Sequence, residues 1–146
     1  MTPPAEVIAA ARAAQAKWRI PASVSLAQWE IESGWGKHEP PGSNNPFGIK
    51  AKPGAPAVTV STREEDAQHH SYFIQAAFAK FPSEADAFLE HARLLATAGC
   101  YATACAKLPD VQSFVNLMAP HYATAHDYAS ALWGAICAGR LTQYDA

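Results

Sequence analysis

"PASVSLAQWEIESGWG", residues 21–36, is the stretch on which the fold turns. Ala22, Val24, Leu26, Ala27, Trp29 and Ile31 put apolar groups on most sides of one segment. The alternation at 22, 24 and 26 also fits a strand. The segment runs on, however, and is stopped by Gly34, which favours a helix over 21–33 with Pro21 pre-set for a first-turn position. A helix that is apolar on most sides belongs inside a core. This one ends in two carboxylates, Glu30 and Glu32, followed at once by Gly34-Trp35-Gly36.

Outward from there the chain divides clearly. Residues 5–18, after Pro3 and Pro4, read as a helix. Residues 34–56 hold five glycines and five prolines and read as loop. "AVTVSTREE" alternates apolar and polar residues and reads as a strand, with "YFIQAAFAKF" as its partner across the polar connection "DAQHHS". The remainder is helical. Ser83 can cap a helix, with Asp86 at the reciprocal capping-box position, and Ala85, Phe88, Leu89, Ala92 and Leu95 forming one face closed by Gly99. Cys100 to Lys107 is a short helix or turn. Asp110 caps a helix carrying Val111, Phe114, Val115 and Met118, expected to end before Pro120. Asp127 caps a last one, with Tyr128, Ala131, Leu132 and Ala135 aligned, ending near Gly139. A helical body with one β excursion is an α+β, lysozyme-like arrangement: a small hairpin lobe flanking a cleft.

The bulk composition narrows the function. A chain of 146 residues suits one domain, 1–146. Hydrophobic residues at 49% and charged residues at 16% support a packed core. A net charge of −2 gives no electrostatic basis for nucleic acid or an anionic membrane surface. No apolar run approaches the ~20 residues of a membrane span. No basic start followed by an apolar stretch marks a secretory signal. Cys100, Cys105 and Cys137 fit no zinc or redox spacing, and free thiols are expected, with a Cys100–Cys105 or Cys105–Cys137 disulfide as the alternative.

The chemistry lies in the carboxylates. On a helix, Glu32 has Gln28 and Trp29 one turn back, whereas Glu30 points about 200° away at ~100° per residue. Glu32 sits at the helix C-terminus, where the macrodipole disfavours a carboxylate and favours the protonated acid. Trp29 and Trp35 can supply an apolar wall pushing the same way. A protonated carboxylic acid is what a glycosidase needs to protonate a leaving oxygen. Equally, spacing alone allows Glu32 to be a solvated helix-end residue. Glu30 is the better fit for an ordinary ion pair with Lys17 or Arg19.

"IPASVSLAQWEIESGWGKH" and "SNNPFGIKA" resemble the signature of the glucosaminidase family of peptidoglycan hydrolases, typified by flagellar rod-cap hydrolases and bacterial autolysins. The family runs "P-A-S-x-x-L-A-Q-x-x-L-E-S-G-W-G", then "N-N-x-F-G-I-K". The likeness continues through "VTVSTREE", similar to a strand ending Thr-x-Glu, through "AAFAKFPSEADAFLEHARLL", and to "HYATAHDYASAL", similar to "Y-A-T-D-x-x-Y-A-x-K-L". It covers roughly residues 18–136.

The resemblance implies the following roles. Glu32 matches the general acid. Glu64, in Thr62-Arg63-Glu64, matches the second carboxylate, which activates water or stabilises developing positive charge. Tyr122 matches the cleft tyrosine beside the acid. Asn45, Phe47 and Gly48 match the loop shaping the groove floor, and Trp35 the residue packed behind the acid. The chain departs from the pattern at Pro46, at Ala125 in place of the common aspartate, and at Glu65 where an aromatic is common. Glu65 therefore competes with Glu64; strand alternation puts them on opposite faces, and Glu64 is preferred.

Other polar and aromatic residues carry ordinary expectations. His69 and His70 are placed in a surface turn, His91 on a helix surface, and His121 and His126 beside a loop. None has metal-ligand spacing, so neither metal nor cofactor is expected. Trp18, Trp29 and Trp133 are expected in the core; Phe47, Tyr72 and Tyr122 are the expected sugar-stacking residues. The function expected is an endo-β-N-acetylglucosaminidase acting as a monomer on the peptidoglycan glycan strand. It would be made in the cytoplasm and act on the wall after release or export, in the manner of a phage or prophage endolysin. A muramidase, a lytic transglycosylase or an inactive glycan-binding module are the alternatives.

Overall fold

The computed structural model describes residues 1–146. Six α-helices, α1 Ala5–Trp18, α2 Ala22–Ser33, α3 Glu84–Thr97, α4 Ala102–Cys105, α5 Val111–Tyr122 and α6 Tyr128–Ala138, surround one hydrophobic cluster. Two strands, β1 Ala57–Glu65 and β2 Ser71–Ala79, form an antiparallel hairpin. Short 3-10 turns cover Gly99–Tyr101 and Leu141–Tyr144. This is the expected α+β arrangement of a helical body with a small β lobe.

Helix α2 is the central element: ten of its twelve residues are buried. It packs against α1, α3 and α6. Pro21 lies one position earlier than expected, at the N-cap with φ −55° and ψ 134°. Gly34 ends the helix in the left-handed region at φ 56°, its N–H bonding the Glu30 carbonyl, which is what a glycine C-cap is for. Trp35 and Gly36 continue with positive φ, so the chain leaves the helix in a tight turn.

The hairpin register pairs Ala57 with Ala79 at its base and Glu64 with Tyr72 near its tip. Cross-strand partners share a face, so Val58, Val60, Thr62 and Glu64 lie with Phe78, Ala76, Ile74 and Tyr72. That face is the more buried of the two at Val58, Val60, Thr62 and Ala76. An isolated antiparallel bridge joins Lys50 to Phe78, tying the loop after α2 to the hairpin base.

Several local expectations are corrected. Helix α5 does not end before Pro120 but includes it and runs to Tyr122. Asp127 takes the N-cap position of α6 without a side-chain hydrogen bond. Ser83 caps α3 by accepting from the Asp86 N–H, while the Asp86 carboxylate turns to the Ser83 hydroxyl rather than reaching back to the Ser83 N–H. Ala85 and Ala131 are exposed; Ala87 and Ile136 are buried on those helices instead. His91 is not on the surface but is 2% exposed in the core. Glu30 forms no ion pair with Lys17 or Arg19; it is buried, with Oε1 unpartnered. All three cysteines are free. Trp29 is buried, and Trp18 and Trp133 pack against the core from its edge.

Candidate active site

The last turn of α2 delivers Glu32 to a groove of about 470 Å3. Its other walls are Phe47, Gly48, Ile49, Lys50 and Lys52 from the loop after α2, Glu90 and Leu94 from α3, and Tyr122 from the end of α5. Glu32 itself is exposed in the last turn of the helix, where the groove opens, while Gln28, one turn back on the same face, is fully buried. A second cavity of about 480 Å3 lies between Trp18, Ile20, Leu108 and Asp145 and contains none of the expected site residues.

Two tyrosines, Tyr128 and Tyr122, stand beside Glu32. The Tyr128 hydroxyl donates to Glu32 Oε1 at 2.6 Å. Trp35 sets its ring edge against Trp29 at 5.6 Å between centroids and does not line the groove. Tyr122 stacks on Tyr128 with centroids 5.7 Å apart. Burial first, and then the neighbouring Glu32 carboxylate, holds the Tyr122 phenol well above the usual range. Tyr128 is raised in the same way, by burial and then by its hydrogen bond to Glu32, so both phenols stay protonated donors.

The loop that frames the groove is held by Asn45. Its side chain is buried, donates to the carbonyls of Ile49 and Ala79, and accepts from the N–H groups of Phe47 and Ile49. This couples the groove floor to the last residue of β2. Gly48, at φ 65°, supplies the left-handed residue that the turn needs. Phe47 borders the groove but is 4% exposed, with its ring stacked on His91 at 4.0 Å and edge-on to Phe88 at 4.9 Å. The expected sugar-stacking role of Phe47 is thereby corrected: its ring is packed in the core and leaves little surface to a ligand.

Glu64 and Tyr72 sit opposite one another on the hairpin, exposed, and outside the wall of the groove. Their face is the one carrying Phe78, over whose ring Lys50 Nζ lies at 4.2 Å, and Lys50 lines the Glu32 groove. Glu65 lies on the opposite face with Arg63, whose guanidinium binds the Ser71 hydroxyl. The Lys50 and Lys52 side chains give the groove a cationic margin; Glu90 is engaged by Arg93 at 2.6 Å, which holds its carboxyl below the usual range.

Two residues linked to Glu32 differ from the sequence expectation, which places Tyr128 on an apolar helix face and His91 on a surface. Tyr128 bonds Glu32 directly, and His91 connects to it through Gln28, which stands one turn before Glu32 and bonds both His91 and Tyr128.

A helical body, a β hairpin beside a groove, and a carboxylate on the end of a buried helix define the class of lysozyme-like peptidoglycan hydrolase domains. Residues 8–138 match the family model described as mannosyl-glycoprotein endo-beta-N-acetylglucosaminidase. The chain belongs to this glucosaminidase family and is a glycoside hydrolase. It is 34% identical over 134 residues to an autolysin of Enterococcus faecalis, covering 85% of this chain and 18% of that one. The chain thus spans about a fifth of the length of that relative. Among solved structures it matches the catalytic domain of the Listeria monocytogenes autolysin Auto at TM-score 0.83 and 30% identity, over 96% of this chain and 84% of that one. It matches the truncated glycoside hydrolase domain of Salmonella typhimurium FlgJ at TM-score 0.76 and 27% identity, over 93% and 94%. No helix is long and apolar enough to cross a membrane.

Proposed function

We propose that this chain hydrolyses the β-1,4 glycosidic bond of the peptidoglycan glycan strand as an endo-β-N-acetylglucosaminidase. The observation that carries the reading is Glu32 at the edge of an open groove, hydrogen-bonded by one tyrosine and flanked by another. Glu32, protonated, donates to the leaving oxygen as the bond to the anomeric carbon breaks. The oxocarbenium-like centre is then quenched by one of two routes. Glu64 takes a proton from a water attacking the opposite face, or the substrate's own 2-acetamido group attacks, with Tyr122 positioning it. Glu64 is favoured over Glu65 because its face carries Phe78, whose ring is covered by Lys50, a residue that lines the groove. Tyr72 beside it provides an exposed ring for stacking on a sugar. Asn45 and Gly48 shape the floor of the groove. Trp35 supports the acid indirectly, through Trp29.

One digest tests the reading. Purified peptidoglycan is cleaved, the products are reduced with borohydride, and the reduced end is identified by mass spectrometry. Reduced glucosamine ends are expected. Reduced muramic acid ends would make the chain a muramidase, and anhydro ends a transglycosylase. Glu32→Gln should abolish release of soluble fragments while the protein stays folded.

The same reading makes residues 1–146 one catalytic domain that works as a monomer, takes no nucleic acid, and meets its substrate in the cell wall. Its proposed setting is lysis from within, as by a phage or prophage endolysin. Co-expression with a holin should then lyse a host that expression of the chain alone leaves intact.

A further inference from the structure

The Tyr128 hydroxyl carries one proton and touches two partners. It lies 3.1 Å from Gln28 Nε2, which can only donate, and 2.6 Å from Glu32 Oε1. Having accepted from Gln28, the hydroxyl must give its proton to Glu32. The orientation of the Gln28 amide is set one step further back. Gln28 Oε1 lies 2.8 Å from His91 Nε2, so that nitrogen must carry a hydrogen. His91 Nδ1 is buried and has no partner. A bare acceptor is tolerated there, whereas the reversed chain would put a hydrogen on Nδ1 with nothing to receive it. The His91 ring cannot turn away, because it is stacked on Phe47 and set edge-on to Tyr122.

We propose that His91, Gln28 and Tyr128 form a hydrogen-bond relay of fixed direction that positions Glu32 and reserves its Oε2 for the catalytic proton. Because Oε1 already accepts from Tyr128, a proton on Glu32 belongs on Oε2. When that proton leaves for the glycosidic oxygen, the Tyr128 hydroxyl is in place to stabilise the carboxylate left behind. These three are positioning residues: the relay reaches the reacting atoms only through Glu32. Burial favours neutral His91, so the relay carries no charge of its own. The proposal rests on Glu32 being the general acid.

The test uses the full chain. Nitrogen-resolved NMR of wild-type His91 should show hydrogen on Nε2 and none on Nδ1 from pH 5 to 8; the opposite tautomer overturns the relay. Tyr128→Phe should lower kcat on soluble glycan fragments about ten- to hundredfold, as loss of a hydrogen bond to a charged group does, with KM within twofold. Its alkaline activity limb should move to higher pH, because the acid then holds its proton more firmly. Lys50, Lys52, Glu90 and Tyr122 also face Glu32, so the profiles are compared at one ionic strength. Gln28→Met should shift kcat and the limb in the same directions, since the Tyr128 hydroxyl is then free to rotate, and it carries the test should Tyr128→Phe not fold. If Glu32→Gln is inactive while both relay variants keep wild-type kcat and limb, the relay alone fails. An active Glu32→Gln protein removes the acid assignment and the relay with it.

Discussion

The rings of Tyr122 and Tyr128 lie 2° from parallel, one from the end of α5 and the other from the start of α6. Tyr128 meets Glu32 through its hydroxyl, and Tyr122 lines the groove beside it. The stack thus pairs a ring whose hydroxyl holds Glu32 with a ring that lines the groove. Tyr122→Phe keeps the stack and removes only the hydroxyl. It should therefore lower glycan cleavage about tenfold or more with a melting temperature near that of the wild type. Tyr122→Ala should lose activity and also destabilise by the order of 3 kcal/mol, as removal of a packed aromatic does. Full activity in Tyr122→Phe would leave Tyr122 with a packing role alone.

The two hairpin carboxylates separate cleanly by face. Glu64 shares a face with Phe78, whose ring the groove residue Lys50 covers, and Glu65 shares the opposite face with Arg63. Glu64→Gln should reduce turnover about a hundredfold or more, within the range of a lost general base. Glu65→Gln should stay within about threefold. Both should fold normally, since each side chain is exposed. Clearance of a cell-wall suspension measures both, and equal losses in the two variants would dissolve the assignment.

The outline of the fold was legible because local rules carried it. Gly34 stopped α2 where a left-handed residue is needed, and the alternating "AVTVSTREE" gave β1 at its observed bounds. That Glu32 and Glu30 face different ways was legible from their spacing on α2, while the choice of Glu32 as the acid rests on the family resemblance. Its partner Tyr128 was not legible, because the contact spans 96 residues and arises only when α6 packs on α2. His91 failed because its polarity made it look solvent-facing, although it flanks the apolar face three residues after Phe88 and four before Leu95, and Phe47 and Gln28 enclose it. The end of α5 failed because Pro120 lies in the last turn, where the chain is leaving the helix in any case.

Buried ionisable groups give stability a defined pH dependence. Burial raises Glu30 to about 7 from 4.5, against a smaller opposing pull from the N-terminal ammonium. Burial, followed by Glu84, raises Glu39 to about 7 as well. Between pH 4.5 and 7 the folded chain holds protons that the unfolded chain has released, so these two groups lower stability as pH rises through that window. His91 acts in the opposite sense. It is lowered from 6.5 to about 3 by burial, so the unfolded chain gains a proton first and stability falls as pH drops below 6.5. Glu30→Gln should raise the melting temperature at pH 8 and change it little at pH 4.5. Calorimetry at the two pH values checks this, and an equal drop at both would show that the Glu30 carboxylate is stabilising where it lies.

Phe47 and Tyr72 were both expected to stack on sugar, and their surroundings now predict opposite phenotypes. Phe47 is enclosed by His91 and Phe88 and belongs to the main hydrophobic cluster. Phe47→Ala should cost about 3–5 kcal/mol in unfolding free energy, the usual range for a buried Phe truncated to Ala. It should also loosen the His91 ring, so any loss of activity should appear in kcat together with the fall in melting temperature. Tyr72 is 46% exposed on the hairpin face that carries Glu64. Tyr72→Ala should leave stability within about 0.5 kcal/mol. If the ring stacks on a sugar, the variant should raise KM for long glycan fragments about tenfold while kcat changes less, because stacking remote from the broken bond contributes mainly uniform binding. Denaturant unfolding and steady-state kinetics on the same two variants measure both quantities. A stable, high-KM Phe47→Ala protein would return Phe47 to the substrate surface and place Tyr72 among the ordinary exposed residues of the hairpin.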